Sequence, residues 1–204
     1  MFSNHKNMMM LRKLDDFAVD FLPMRLIVSI AVIVAITGVV GWGYQTMGVV
    51  SSENKMEVQC DELVAELNTL YFGGVARDLD EKNADRGSLR VYSFNLPENL
   101  IYLSFGVDAD EDNDGRVETG LTNDGSMIFY RVEGGSKKSI WLDENFRFRE
   151  GKIYQNGWYM NSPSQGFILK DNGKTNIVFE LVKKDDTKYV LICANDQIEN
   201  LAIQ

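Results

Sequence analysis

The chain has 204 residues, with 21 basic and 30 acidic side chains, a formal net charge of −9, two cysteines and a single histidine. An acidic balance of this size repels nucleic acid and anionic surfaces, so a nucleic-acid partner is excluded as an expectation. About 150 residues follow the apolar run described next, enough for one domain with a real core and too few for two comfortable ones.

Residues 1–25 carry Lys6, Arg12, Lys13 and Arg25 against three aspartates, a net of +1, which leaves 17 basic and 27 acidic side chains, net −10, for the rest. Residues 26–50 then run for 25 positions without a charge. About 20 residues of helix cross roughly 30 Å of hydrocarbon, so the segment is long enough to span a bilayer. It is also longer than the 7 to 15 residues, roughly, of a secretory apolar region, and no small-x-small cleavage site follows it. It continues through Trp42 and Tyr44, aromatic residues suited to the membrane interface. We therefore expect a retained single-pass anchor in the cell membrane, with the lipid bilayer as its first partner. Basic residues crowd the N-terminal flank, whereas beyond Val50 only Lys55 lies close. The positive-inside rule then puts residues 1–25 in the cytoplasm, as tail or leader, and residues 51–204 outside.

The apolar pattern next becomes periodic. Met56, Cys60, Leu63, Val64, Leu67, Leu70 and Tyr71 follow the spacing of one helical face, with Glu57, Gln59, Asp61, Glu62, Glu66 and Asn68 between them. Gly73 and Gly74 supply a stop. No proline interrupts, so one helix from near Leu26 to Phe72, about 70 Å long, is the simplest expectation. Its amphipathic part, residues 51–74, would lay its stripe on the domain formed by residues 75–204.

That domain reads as β structure. Residues 89–94, 100–107, 127–132, 139–142, 146–148, 152–154, 166–169, 175–182 and 188–193 are short and rich in β-branched or aromatic residues. Ile101, Leu103, Phe105 and Val107 alternate as a sheet with one dry face requires. Asn156-Gly157 and Asn172-Gly173 are hairpin-type pairs, and residues 183–186 form a polar turn between the two most convincing strands. The predicted fold class is α+β, a long N-terminal helix followed by a mainly antiparallel, sandwich-like external domain. Cys60 and Cys193 both fall on the external side, where disulfides persist. A bond between them would close a loop of more than 130 residues, worth roughly 4 to 5 kcal/mol in chain-entropy terms. That bond is expected, with two buried free thiols as the alternative.

A long helix, apolar then amphipathic, feeding an external β-rich domain is the layout of type IV pilin-like proteins. The chain resembles a group of uncharacterised archaeal membrane proteins, some from methanogens, with a pilin-like N-terminus. The resemblance rests on DDFAVDFLPMRLIVSIAVIVA at 15–35, CDELVAELNTLYFGGVARDLD at 60–80, SLRVYSFNLPENLIYLSFGVDADEDNDG at 88–115 and SKKSIWLDENFRFREGK at 136–152. It covers most of the chain and brings no chemistry to carry over. In filament-forming pilins it implies trimming of the cytoplasmic leader and bundling of the apolar helices. Two departures stand against that pattern: no basic-plus-glycine cleavage site precedes the run, and residues 26–44 lack the acidic residue that pilins keep at the helix start. An uncleaved anchor and a polymerising subunit both stay open. Gly38, Gly41 and Gly43 would let helices approach closely in lipid, in a homo-oligomer or beside other membrane proteins.

One loop carries candidate chemistry. Asp108, Asp110, Asp112 and Asp114 precede Gly115, giving DxDxDG from Asp110, the opening of a calcium loop in which alternate carboxylates converge on one hard cation. Leu121 stands where the bidentate glutamate of the full signature belongs, and Glu118, Asn123 or Asp124 are left to complete a nonstandard shell. The plain alternative is a solvated acidic connection. Catalysis finds little footing, since the only histidine, His5, lies in the N-terminal tail and no nucleophile, phosphate or dinucleotide motif occurs. Trp141, Tyr154, Trp158 and Tyr159 suit either a β core, the leading expectation, or an exposed binding platform. The function expected is a non-catalytic structural or adhesion-type surface protein. The alternative is an accessory or ligand-sensing subunit of a membrane complex with a calcium-stabilised external domain.

Overall fold

The computed structural model describes residues 4–81, 84, 86–118, 125–154, 157–161 and 166–194, with backbone alone for residues 4–23, 45, 153, 154, 157, 158 and 194. One helix, α1 (Asn4–Gly73), precedes the strands β1 (Arg77–Asp78), β2 (Leu89–Leu96), β3 (Leu100–Phe105), β4 (Met127–Val132), β5 (Lys138–Trp141), β6 (Phe148–Tyr154), β7 (Gly157–Met160), β8 (Phe167–Leu169), β9 (Gly173–Lys184) and β10 (Thr187–Ala194). The fold class is α+β. Helix α1 starts well before the expected residue 26, because residues 8–14 are methionine, leucine, arginine and lysine, which lose little rotamer freedom in a helix.

The chain divides into two compact units, residues 1–48 and 49–204. In the first, every side chain described from Met24 to Gly48 is exposed, Ile33 at 62% and Trp42 at 74%. The Thr37 and Thr46 hydroxyls donate back to Ile33 O at 2.8 Å and Trp42 O at 3.1 Å, so both hydroxyls are satisfied within the helix itself. One helix of the described residues is long and apolar enough to cross a membrane.

In the second unit the remainder of α1 buries the expected stripe. Met56, Cys60, Leu63, Leu67, Leu70 and Tyr71 are in the core and Val64 packs against it half-buried. The helix stops where predicted. Gly74 donates to Leu70 O at 2.9 Å, and a Cβ at position 74 would lie 2.3 Å from that same oxygen, so the close turn admits only glycine.

The strands form two sheets. One is mixed, in the order β1-β9-β10-β6-β7 with β2 also paired to β9, and the other is antiparallel, in the order β5-β4-β3-β8. Parallel pairing is confined to β1 with β9 and β6 with β10. Phe105, Ile128, Tyr130 and Val132 of the antiparallel sheet share one core with Phe94, Phe148, Phe179 and Val190 of the mixed sheet and with the α1 stripe. Two hydrogen-bonded ties seat the helix on edge strand β2. The Gln59 amide accepts from Asn95 N at 2.6 Å and donates to Asn95 O at 3.3 Å, and Tyr92 OH donates to Gln59 O at 2.9 Å. A side chain thus occupies backbone groups that an open edge would leave for another strand.

Several expectations change. Segments 146–148 and 152–154 belong to one turn-and-strand region, with β6 running unbroken through Gly151. Strand β7 was not foreseen, and Gly157 is its first residue, paired with Tyr154, rather than half of the expected Asn156-Gly157 turn pair; Asn156 lies outside the described residues. Asn172-Gly173 is no hairpin, because β8 belongs to the antiparallel sheet and β9 to the mixed one, so the turn carries the chain from sheet to sheet. The polar turn of residues 183–186 is a two-residue hairpin with Asp185 and Asp186 at φ 47° and 62°.

The expected disulfide is absent: Cys60 and Cys193 are free and buried. Cys60 faces the shared core with Val190 and Ile192. Cys193 alternates with those two residues along β10, so its side chain leaves the opposite face of the sheet. There its Sγ lies 2.7 Å from where a Cβ on Gly151 would be. Burial, reinforced by Asp61 for Cys60 and by Glu180 and Glu150 for Cys193, pushes each thiol up to about 12.

Candidate metal centre

The acidic segment leaves β3 at Gly106 and folds back over the outer face of the antiparallel sheet. Tyr102, Ala109 and Phe129 make a small second core there, with Val117 and Met127 packed on it. Two loop residues, Ala109 and Val117, are therefore what fastens the acidic turn between them to the sheet. The Glu118 N–H closes the base of the turn by donating to Ala109 O at 2.9 Å.

Within this frame each aspartate organises the backbone ahead of it, as short carboxylates do in turns. Asp108 Oδ1 accepts from Asp110 N at 3.1 Å, Asp112 Oδ1 from Asp114 N at 3.1 Å, and Asp114 Oδ1 from Arg116 N at 2.6 Å. Asp110 Oδ1 reaches across the turn to Gly115 N at 3.2 Å. Asn113 and Gly115 take φ of 61° and 84°, left-handed values that asparagine tolerates and glycine adopts without strain. The result is a tight ring in which one carboxylate oxygen each from Asp110, Asp112 and Asp114 lie within 4.8 Å of one another.

Two cations that the spacing of the aspartates could not announce hold the base of the turn. Arg131, on β4, ion-pairs through Nη1 with Asp110 Oδ2 and donates to Asn113 O at 3.2 Å. Lys137, just before β5, bonds Asp108 Oδ2 and Asp110 O, both at 2.7 Å. Asp110 is fully buried. Burial alone would push its carboxyl up. The Arg131 hydrogen bond, the Gly115 N–H and the charges of Arg131 and Lys137 together outweigh that and hold it below the ordinary carboxylate value.

The five predicted ligands therefore separate. Asp110, Asp112 and Asp114 converge, with Asp112 and Asp114 exposed. Asp108 is taken by Lys137, and Glu118 is exposed at the far end of the turn. Asn123 and Asp124 lie outside the described residues. The aromatic set is corrected as well: Trp141 is 72% and Tyr159 54% exposed, so neither is core, because β5 and β7 are edge strands and Trp141 points away from the half-buried Ile140 side. Side chains of Tyr154 and Trp158 are outside the described set.

A second polar cluster was not legible in the sequence. Glu180, on the central strand β9, is 2% exposed and grips Arg77 of β1 through Nε–Oε1 at 2.7 Å and Nη2–Oε2 at 2.8 Å. Gly87 N donates to Glu180 Oε1 at 3.1 Å. Such a paired, hydrogen-bonded fork is the form in which a buried carboxylate is tolerated. It pins the two-residue strand β1 to β9. Comparison with protein-family models, with curated proteins and with solved structures finds no match to this chain.

Proposed function

We propose that the protein is a membrane-anchored surface component of pilin-like layout, structural or adhesive and not catalytic, with a sandwich-like domain held outside the cell. The observation that carries this reading is the change of character along α1. Its uncharged segment exposes every described side chain from Leu26 to Gly48, whereas from Met56 onward the helix forms one wall of a β-domain core. An apolar surface of that extent is incompatible with water and calls for lipid or for other apolar helices. Gly38, Gly41 and Gly43 leave open space at their Cβ positions, so a second helix can approach closely along that stretch. The basic N-terminal flank favours a cytoplasmic N-terminus. The layout agrees with the resemblance to pilin-like archaeal membrane proteins.

A non-catalytic role fits the chemistry at hand. His5, the only histidine, precedes the apolar run, and both thiols are buried and strongly protonated, so neither a histidine base nor a thiolate nucleophile is on offer in the β-rich domain. The acidic turn favours a second reading, an accessory or ligand-sensing subunit of a membrane complex. Washing membranes with alkaline carbonate tests the anchor: the protein should stay with the pellet, and release into the wash would contradict it. Detergent extraction and sizing separates the two roles, with homopolymers supporting the pilin-like one and a fixed stoichiometry with other membrane proteins the accessory one.

A further inference from the structure

We propose that the turn of residues 110–115 binds one calcium ion through the carboxylates of Asp110, Asp112 and Asp114. Three carboxylate oxygens within 4.8 Å of one another carry like charges that a hard divalent cation would bridge. An acidic cluster by itself is common on protein surfaces, and the decisive observation lies underneath it.

Tyr102 is fully buried and its hydroxyl has no hydrogen-bond partner. It stands directly opposite Arg131 across the β3–β4 pairing and packs against Ala109, so the ring lies beneath the acidic turn. After burial itself, Asp108 and Asp110 are the groups that push its hydroxyl up, and Arg131 is the one that pulls it down. Register with Arg131 and packing on Ala109 thus put the phenol on the side of the turn formed by Asp108, Asp110 and Arg131. A buried hydroxyl in such a place calls for an ion or an ion-held water to complete it. The Nε of Arg131, also buried and without a hydrogen-bond partner, lies on the guanidinium that holds Asp110.

The charges set the class of ligand and its strength. Arg131 and Lys137 compensate Asp110 and Asp108, whereas Asp112 and Asp114 face solvent and Asp114 has only the loose, exposed Arg116 at 3.7 Å. The turn keeps enough negative charge for a cation, yet the two resident cations weaken the hold. Calcium accepts six to eight oxygens in flexible geometry, while magnesium demands a near-ideal octahedron, so an irregular ring completed by waters suits calcium. Affinity should fall in the range of extracellular calcium modules, about 0.1 to 1 mM. The site does not depend on the membrane reading of the previous subsection.

The test uses the full chain in detergent micelles, stripped of metal with a chelator. Calorimetric titration with calcium chloride should report one site with Kd about 0.1 to 1 mM, and about 5 mM calcium should raise Tm by about 2 to 9 °C. The variant carrying Asp112→Asn and Asp114→Asn should lose both responses while melting like the wild type without calcium, because both side chains are exposed. Tyr102→Phe should keep the fold and weaken binding about threefold by removing the inner polar contact. A flat titration with no shift in Tm would overturn the proposal, as would undiminished affinity in the double variant or an equal shift with magnesium chloride.

Discussion

Replacing Arg77 with alanine should destabilise the β-rich domain more than any surface change of the same size. The substitution removes both hydrogen bonds of the fork and leaves the Glu180 carboxylate, 2% exposed, with the Gly87 N–H as its named remaining donor. Breaking a buried pair from one side costs about 3 to 5 kcal/mol, since the partner's charge stays buried without compensation. For a chain of this size each kcal/mol lowers Tm by about 2 to 4 °C, so a fall of about 6 to 20 °C is expected. Urea unfolding in detergent, followed by tryptophan fluorescence and by the β signal in circular dichroism, measures it. A companion variant makes the reasoning strict. Arg77→Met together with Glu180→Met removes both charges and should recover most of the loss, because an apolar pair of similar volume avoids the desolvation. A loss below about 1 kcal/mol in Arg77→Ala would place the pair among exposed salt bridges and refute the account.

Three further outcomes follow from the same packing. Gly87→Ala would set its Cβ 2.1 Å from Leu181 O, so the urea midpoint should fall by the equivalent of about 2 kcal/mol or more, and an unchanged midpoint would contradict the close approach. Asp110 is held below its ordinary value, so its contribution to stability is complete above the unfolded carboxylate pKa of about 3.9 and is lost as pH falls through the folded value. Asp110→Asn should therefore lower Tm at neutral pH and flatten its dependence on pH below about 4; parallel curves for wild type and variant would tell against the Arg131 pairing. Both thiols are buried with pKa about 12, so the native protein should resist a thiol reagent at pH 8 and yield two reactive groups once unfolded in urea, whereas rapid labelling of the native chain would deny their burial.

Local pattern explains what could be foreseen. The α1 stripe from Met56 to Tyr71 and the β4 boundaries were legible because one period of 3.6 or 2 residues fixes which side chains share a face. The convergence of Asp110, Asp112 and Asp114 was legible for a related reason, since alternate positions followed by glycine suit a tight turn. What escaped depends on partners remote in sequence. Arg77 and Glu180 are 103 positions apart, and Arg131 and Lys137 reach the acidic loop from 21 and 27 positions beyond it. The disulfide failed for the same cause: spacing cannot tell that Cys60 and Cys193 stand on opposite sides of a sheet. Strand β9 misled by its evenness, because residues 177–182 are buried on both faces and show no alternation from which to infer that Glu180 points inward to a partner.

The central claim, an acidic domain carried outside the cell by one apolar helix, is tested most directly by adding protease to intact cells and probing with antibodies to each end of the chain. The account predicts loss of the C-terminal epitope while an N-terminal fragment containing residues 26–50 stays in the membrane fraction. Survival of the C-terminal epitope in intact cells, with digestion only after lysis, would contradict it.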